Sequence, residues 1–142
     1  MKEFIILVGA PGSGKTTYCE KNLKGYIRVS QDDQGKIGQW EIFEEAIKIE
    51  APFIVVDRMN TTKEQREKYL VFAKDRGYTT KIINFVQVPY EVCLKRVIER
   101  ENHPTIKKGD ERTARIAIST FFSQYENVLS NEADEIEFIS DY

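Results

Sequence analysis

The chain has 142 residues and a formal net charge of −2, a size that corresponds to one domain. Hydrophobic residues make up 41% and charged residues 31%, which excludes collagen-like, low-complexity and intrinsically disordered proteins. No apolar run reaches the length of about 18 residues that a membrane span needs. The two cysteines, Cys19 and Cys93, match neither a disulfide framework nor a metal-ligand spacing. We therefore expect a single cytoplasmic domain, residues 1–142, with buried free thiols and no association with membranes.

Short apolar runs alternate with amphipathic helical stretches along the chain. The expected strands cover residues 4–8, 26–29, 53–56, 81–88 and 135–139. The expected helices cover residues 15–24, 37–50, 62–76, 89–100 and 114–128, with Thr61 or Thr62 as a helix cap. This alternation predicts an α/β fold, in which a parallel sheet of four to five strands is flanked by helices.

Charge is distributed unevenly along the sequence. From Ile116 to Tyr142 there are six acidic residues and no lysine or arginine, so the first 115 residues carry a net charge of +4. Seven basic residues lie within residues 95–115. A local cationic patch suits a polyanionic substrate, although most charge runs are ordinary solvated faces.

Residues 9–16, GAPGSGKT, match the phosphate-loop pattern G-x-x-x-x-G-K-[ST]. The loop follows an expected strand and opens an expected helix, which is the context that the pattern requires. Lys15 is expected to be exposed and to contact the β- and γ-phosphates, and the Thr16 hydroxyl to bind Mg²⁺. The candidate residues for binding ATP or another nucleoside triphosphate in this loop are Gly12, Ser13, Gly14, Lys15, Thr16 and Thr17.

Polar side chains follow the second and third expected strands, at the sheet edge where open α/β folds bind ligands. Asp32 is the candidate general base for a hydroxyl acceptor, although Asp32 or Asp33 could instead cap the following helix. Asp57 ends the third strand and resembles the acid that holds Mg²⁺ directly or through water; the alternative is a turn residue. Arg58 and Asn60 project from the same edge and are candidate acceptor-binding residues.

Arg96 and Arg100 are four residues apart on one expected helix, just before the polar stretch 101–109. A helix–loop–helix over residues 95–115 would form a lid above the triphosphate, and its arginines would neutralise charge in the transition state. The alternative is a pair of exposed arginines on a helix surface.

Taken together, these segments resemble the P-loop polynucleotide 5′-hydroxyl kinases, a family that includes phage end-healing enzymes and the kinase modules of tRNA ligases. The phosphate loop matches that of the family, and Asp32 with Asp33 corresponds to its Arg-Asp-Asp segment. The lysine and arginines of residues 95–100 resemble its lid helix, and residues 57–60, DRMN, are similar to the Asp-Arg-Asn-Asn segment of tRNA-ligase kinases.

The sequence departs from this family at two positions. Gln31 replaces the arginine that precedes the first aspartate. Gly35, followed by Lys36, stands where the phage-type enzymes have an arginine that grips the phosphate of the acceptor.

The resemblance implies a P-loop kinase that uses ATP and Mg²⁺ to phosphorylate a 5′-hydroxyl end of RNA or DNA, in nucleic-acid end healing or repair. It implies Asp32 as the general base, with Lys15 and Arg100 as the other catalytic residues. Because no ligase or phosphatase signature is visible, such a partner activity would lie on a separate chain; the oligomeric state stays open. A small-molecule or nucleoside kinase is the alternative function, and a non-catalytic nucleotide switch has less support.

Overall fold

The computed structural model describes residues 1–100 and 110–140 of the chain. Its strands are β1 (Glu3–Val8), β2 (Ile27–Val29), β3 (Phe53–Asp57), β4 (Thr79–Asn84) and β5 (Glu135–Phe138). Its helices are α1 (Lys15–Asn22), α2 (Gln31–Gln34), α3 (Lys36–Lys48), α4 (Lys63–Asp75), α5 (Tyr90–Glu99) and α6 (Glu111–Gln124). No helix in these two ranges combines the length and the apolar character that crossing a membrane requires.

The five strands form one parallel sheet in the order β2-β3-β1-β4-β5. The central strand, β1, pairs with β3 and β4, so that Leu7 lies opposite both Asp57 and Ile83. Residues 4–8 are fully or almost fully buried, which explains why this strand is a continuous apolar run rather than an alternating one. The predicted α/β fold with a parallel sheet flanked by helices is confirmed.

The largest differences from the predicted element boundaries are at the ends of β4 and α6. β4 ends at Asn84 rather than at residue 88, because the chain turns there: the Asn84 side-chain oxygen accepts from the Val86 amide and the Phe85 carbonyl accepts from the Val88 amide. Phe85 and Val88 are nevertheless buried, so an apolar turn imitates a longer strand in the sequence. In addition, α6 ends at Gln124, four residues early, because the Glu126 amide donates to a carbonyl outside the helix.

The helix α4 begins as its sequence predicts. Thr62, one of the two expected caps, accepts a hydrogen bond from the Gln65 amide, and the Gln65 side chain accepts one from the Thr62 amide. The expected buried free thiols are also present at Cys19 and Cys93, and burial raises the pKa of Cys19 to about 12. A thiol with such a pKa is protonated at neutral pH and therefore a poor nucleophile.

Arg66 of α4 is completely buried and holds the segment before β5 against the segment after β3. Its Nε donates to Glu132 Oε1 at 2.8 Å, and its Nη2 donates to the Glu126 carbonyl at 3.0 Å. Its Nη1 donates to the carbonyls of Asn60 and Thr61 at 3.0 and 3.1 Å. This one side chain therefore fixes the backbone just beyond Asp57, a segment that lines a cavity at the carboxyl ends of the strands.

We expect Arg66→Ala to lower the free energy of unfolding by about 3–5 kcal/mol, because it leaves the buried Glu132 carboxylate without its cation. Urea denaturation measures this loss. Lys48→Ala, at an exposed position of α3, is the control and should change stability by less than about 0.5 kcal/mol. A loss for Arg66→Ala as small as that of the control would contradict the role of Arg66.

Candidate active site

A cavity of about 660 Å³ opens at the carboxyl ends of the strands. Its walls come from the phosphate loop, α1, α2, the segment after β3, α5 and α6. The cavity brings most of the predicted site residues together: Gly12, Gly14, Lys15, Thr16, Thr17, Asp32, Asp57, Arg58, Asn60, Arg96 and Arg100. Ser13 is buried and is not part of the cavity lining.

The phosphate loop is shaped by two glycines with left-handed backbone, Gly12 at φ 80° and Gly14 at φ 105°. A Cβ atom on Gly12 would also lie 2.5 Å from the Cys93 carbonyl oxygen of α5, so the loop can approach that helix only without a side chain. Gly14 immediately precedes α1, whose first amides have no acceptor within the helix. Such amides bind phosphate groups well.

Lys15 is buried, with 9% of its surface exposed. Its Nζ donates to the carbonyls of Gly9 and Ala10, each at 2.8 Å. Burial lowers the pKa of Lys15, although the carboxylates of Asp57 and Asp32 act in the opposite direction. The prediction that Lys15 is exposed is therefore wrong, because the ammonium group folds back onto the carbonyls of its own loop.

Thr16 and Asp57 meet at the floor of the cavity, where Thr16 Oγ1 donates to Asp57 Oδ2 at 3.1 Å. The same oxygen of Asp57 accepts from Arg28 of β2, at 2.9 Å from Nε and 2.7 Å from Nη2. Arg28 Nη1 additionally pairs with Asp33. Partial burial lowers the pKa of Arg28, but the two carboxylates outweigh that effect and raise the pKa above its usual range.

Arg28 was not among the residues expected at this site. It belongs to no motif, and a single arginine in a short strand does not show which carboxylate it will meet. The one available signal is the presence of a charged residue within β2, between the apolar residues Ile27 and Val29.

The donor set beside the phosphate loop fits a magnesium ion. Thr16 and Asp57 offer a hydroxyl and a carboxylate, and Mg²⁺ prefers oxygen ligands. This ion usually keeps several waters and takes further oxygens from substrate phosphates, so one or two protein ligands suffice. Within residues 1–100 and 110–140, no cluster of three or more acidic, histidine or cysteine side chains could hold a metal by itself. The chemistry of the site therefore favours a cation that arrives with a nucleotide.

Asp32 and Asp33 lie in α2, a one-turn helix that was not predicted from the sequence. The residues that cap α2 and α3 are Ser30 and Gly35, so neither aspartate is an N-cap. Asp33 pairs with Arg28, whereas the Asp32 carboxylate is exposed in the cavity without a hydrogen-bond partner among the described residues. Asp32 is therefore free to accept a proton from a bound ligand.

The other side of the cavity contains Arg58 and Asn60. Arg58 donates to the Tyr69 hydroxyl at 2.5 Å and also to the Gln31 side chain. Asn60 is buried, with a left-handed φ of 47°, and its amide donates to the Leu7 carbonyl at 2.7 Å. Both residues line the cavity, but Asn60 also fastens the end of β3 to β1; the acceptor-binding roles of the two residues stay predictions.

Arg96 lies in α5, whereas Arg100 follows the last residue of that helix and has an extended backbone, so the expectation that both arginines lie on one helix is wrong for Arg100. Both side chains are half-buried and reach the cavity. Arg96 Nη1 donates to the Gly12 carbonyl at 3.2 Å, so it touches the phosphate loop itself. Arg100 is close enough to contribute to the lowered pKa of Lys15. The predicted lid, residues 95–115, includes the end of α5 and the start of α6, and these two helices pack against each other. Residues 101–109 of the lid lie outside the described residues.

The AAA domain family matches residues 37–121 of the chain. A transcription factor of Arabidopsis thaliana, bHLH140, is 25% identical over 120 residues, which is 78% of this chain and 13% of that protein. A bifunctional polynucleotide phosphatase/kinase of Schizosaccharomyces pombe is 31% identical over 130 residues, 88% of this chain and 30% of that protein. The chain thus spans less than a third of the length of these two curated relatives.

The fold is similar to that of Kti12 from Chaetomium thermophilum, a structure solved in complex with ADP-AlF3. The TM-score is 0.65 at 16% sequence identity, and the match covers 97% of this chain and 89% of the other. This likeness shows a P-loop kinase fold. Together with the relatives above, it confirms the resemblance to P-loop kinases that the sequence predicts.

We expect Lys15→Met to weaken ADP binding by about 10- to 100-fold, because it removes a charged donor to the phosphates at nearly constant side-chain volume. Isothermal titration calorimetry with ADP and Mg²⁺ measures the change. The melting temperature should stay the same or rise, since the variant no longer buries an ammonium group. Lys24→Met, at an exposed position, is the control. Unchanged ADP affinity in Lys15→Met would contradict the assignment of this loop as a phosphate site.

Proposed function

Since the chain belongs to the AAA domain family and has a P-loop kinase fold, we propose that it transfers the γ-phosphate of ATP to a 5′-hydroxyl end of RNA or DNA. The observation that carries this proposal is the position of Asp32. Its carboxylate is exposed in the cavity that Lys15 and Thr16 also line, and has no hydrogen-bond partner among the described residues. A hydroxyl acceptor needs such a base, and the polynucleotide phosphatase/kinase relative supports a nucleic-acid end as the substrate.

On the nucleotide side, the phosphate loop would hold the β- and γ-phosphates through its amides and Lys15. The ammonium group of Lys15 would exchange the carbonyls of Gly9 and Ala10 for phosphate oxygens. Thr16 would ligate Mg²⁺, with Asp57 holding it directly or through water. When bound, Mg²⁺ neutralises charge on the phosphate oxygens during the transfer.

On the acceptor side, Asp32 would take the proton of the 5′-hydroxyl as its oxygen forms a bond to the γ-phosphorus. The bond between the γ-phosphorus and the oxygen that bridges the β- and γ-phosphates breaks at the same time, and ADP leaves with that oxygen. Arg96 and Arg100 would stabilise the charge on the transferring group, because both line the cavity, Arg96 from α5 and Arg100 from just beyond its end. Arg58, fixed by Tyr69 and Gln31, would form the wall against which the acceptor lies.

A small-molecule or nucleoside kinase is the second candidate function. It is favoured by the departure from the resembled family around α2, where Gln31 and Gly35 stand in place of two arginines. The Arg58 guanidinium nearby is held by Tyr69 and Gln31, which limits its contacts with an acceptor phosphate. Because the chain spans 30% of the bifunctional relative, we propose that a phosphatase or ligase step would come from a separate domain or chain.

A transfer assay with γ-labelled ATP separates these candidates, using 5′-hydroxyl RNA, 5′-hydroxyl DNA, nucleosides and simple sugars as acceptors. We expect oligonucleotides to be phosphorylated and their binding to weaken with salt, at a log–log slope of about −0.7 for each phosphate contacted. With about one to three such contacts, short acceptors should react almost as well as long ones. Efficient phosphorylation of a nucleoside or sugar, with no salt dependence, would instead establish the second candidate.

The role of Asp32 is tested by Asp32→Asn, which keeps the shape of the side chain and removes the base. We expect kcat to fall by about 10²- to 10⁴-fold, the usual contribution of a positioned base. ADP affinity should change little, because Asp32 is assigned to the acceptor. Asp33→Asn, measured at saturating Mg²⁺, is the comparison: its carboxylate pairs with Arg28, so we expect a far smaller loss of kcat than for Asp32→Asn. The opposite pattern, with Asp33→Asn inactive and Asp32→Asn active, would assign the base to Asp33.

A further inference from the structure

The side chain of Arg28 connects the two halves of the proposed active site. Towards the nucleotide side, its Nε and Nη2 lie 2.9 and 2.7 Å from Asp57 Oδ2, and Nη2 lies 3.4 Å from Thr16 Oγ1. Towards the acceptor side, its Nη1 pairs with Asp33, the neighbour of Asp32 in α2. One cation therefore touches both oxygens assigned to Mg²⁺ and also the helix that carries the proposed base.

A guanidinium group and a divalent cation cannot both remain on these oxygens without strong repulsion. Two positive charges a few ångströms apart in a partly buried site repel far more than they would in water. Asp33 offers a second place for the guanidinium group, because its carboxylate already contacts Arg28 and its side chain is 44% exposed. A cation arriving at Asp57 can therefore displace Arg28 over a short distance, without leaving it unpaired.

We propose that Arg28 is a positioning residue that competes with the divalent cation for Asp57 and Thr16 and shifts onto Asp33 when the metal and nucleotide bind. The exchange would bring the positive charge of Arg28 closer to α2, the helix that also carries Asp32. This proposal rests on the nucleotide-binding part of the proposed function, and it is independent of the acceptor.

The backbone around Arg28 has its own support, so the side chain can be changed without dismantling the element. The Gln34 side chain donates to the Arg28 carbonyl at 2.8 Å and accepts from the Ser30 amide at 3.1 Å. These bonds tie α2 to β2 independently of the guanidinium group. β2 is also paired with β3 along residues 27–29.

Binding of Mn²⁺ in the presence of saturating ADP, followed by electron paramagnetic resonance, tests the proposal without any turnover. Arg28→Gln removes the competing charge, and we expect Mn²⁺ to bind about tenfold tighter or more. Arg28→Lys keeps the charge and should stay closer to the original protein. Lys24→Gln loses one exposed charge elsewhere and should leave Mn²⁺ binding unchanged, which controls for the overall charge of the protein.

Asp33→Asn provides a second test, with the opposite sign. Because it removes the alternative partner of Arg28, it should weaken Mn²⁺ binding, and this effect should vanish when Arg28→Gln is present in the same chain. A residue that only stabilised the fold would lower the melting temperature and would not tighten metal binding.

Mn²⁺ binding to Arg28→Gln that is equal to or weaker than that of the original protein would overturn the proposal. Unchanged Mn²⁺ binding in Asp33→Asn would also overturn it, whatever the stability of Arg28→Gln. In either case, normal Mn²⁺ and ADP binding by the original protein would leave the proposed kinase function standing. If neither the original protein nor Arg28→Gln bound Mn²⁺ with ADP, the proposed competition and the proposed nucleotide site would fail together.

Discussion

The parallel pairing of β1 with β3 and β4 is the constraint on which the rest of the structure depends. Because parallel strands end at the same edge of a sheet, this pairing places the phosphate loop after Val8 directly beside Asp57. Thr16 can then meet Asp57, although 41 positions separate them in the chain. The neighbouring strand, β2, adds Arg28 and leads into α2, so every charged group of the cavity floor derives its position from strand order.

The charges of the cavity are arranged as pairs that a nucleotide would rearrange. Lys15 is bound to two carbonyls of its loop, and its lowered pKa reflects the cost of burying an ammonium group. Phosphate oxygens would supply the negative charge that those carbonyls lack. Arg28 stands in a comparable position, because Asp57 and Asp33 both hold it. We infer that binding a metal-bound nucleotide would exchange these internal partners for external ones.

The acidic residues of the C-terminal segment, residues 116–142, stabilise the fold through specific contacts. Two of its acids support the segment after β3: Glu132 pairs with the buried Arg66, and the Glu126 side chain accepts from the Lys63 amide. A third, Asp134, accepts from the amide and hydroxyl of Thr80 in β4. These three of the six acidic residues in residues 116–142 therefore make contacts within the fold. Their charge is used there rather than presented to a polyanionic substrate.

The α/β class, the phosphate loop and the carboxylates at the strand ends could all be predicted from the amino-acid sequence, because they depend on local patterns. An apolar run predicts a buried strand, and a glycine-rich turn before a helix predicts a phosphate site, without knowledge of distant neighbours. The one-turn helix α2 escaped prediction because four residues are too short to show a helical period.

Which charged side chains meet becomes apparent only in the folded chain. No local pattern encodes the ion pair of Arg28 with Asp57 or that of Arg66 with Glu132. The burial of Lys15 could not be predicted locally either. Arg28 reaches Asp57 because β2 pairs with β3 at the edge of the sheet, which brings together side chains 29 positions apart in the chain. A long-range ion pair is selected by that spatial order, and the sequence around each partner does not specify which residue the other will be.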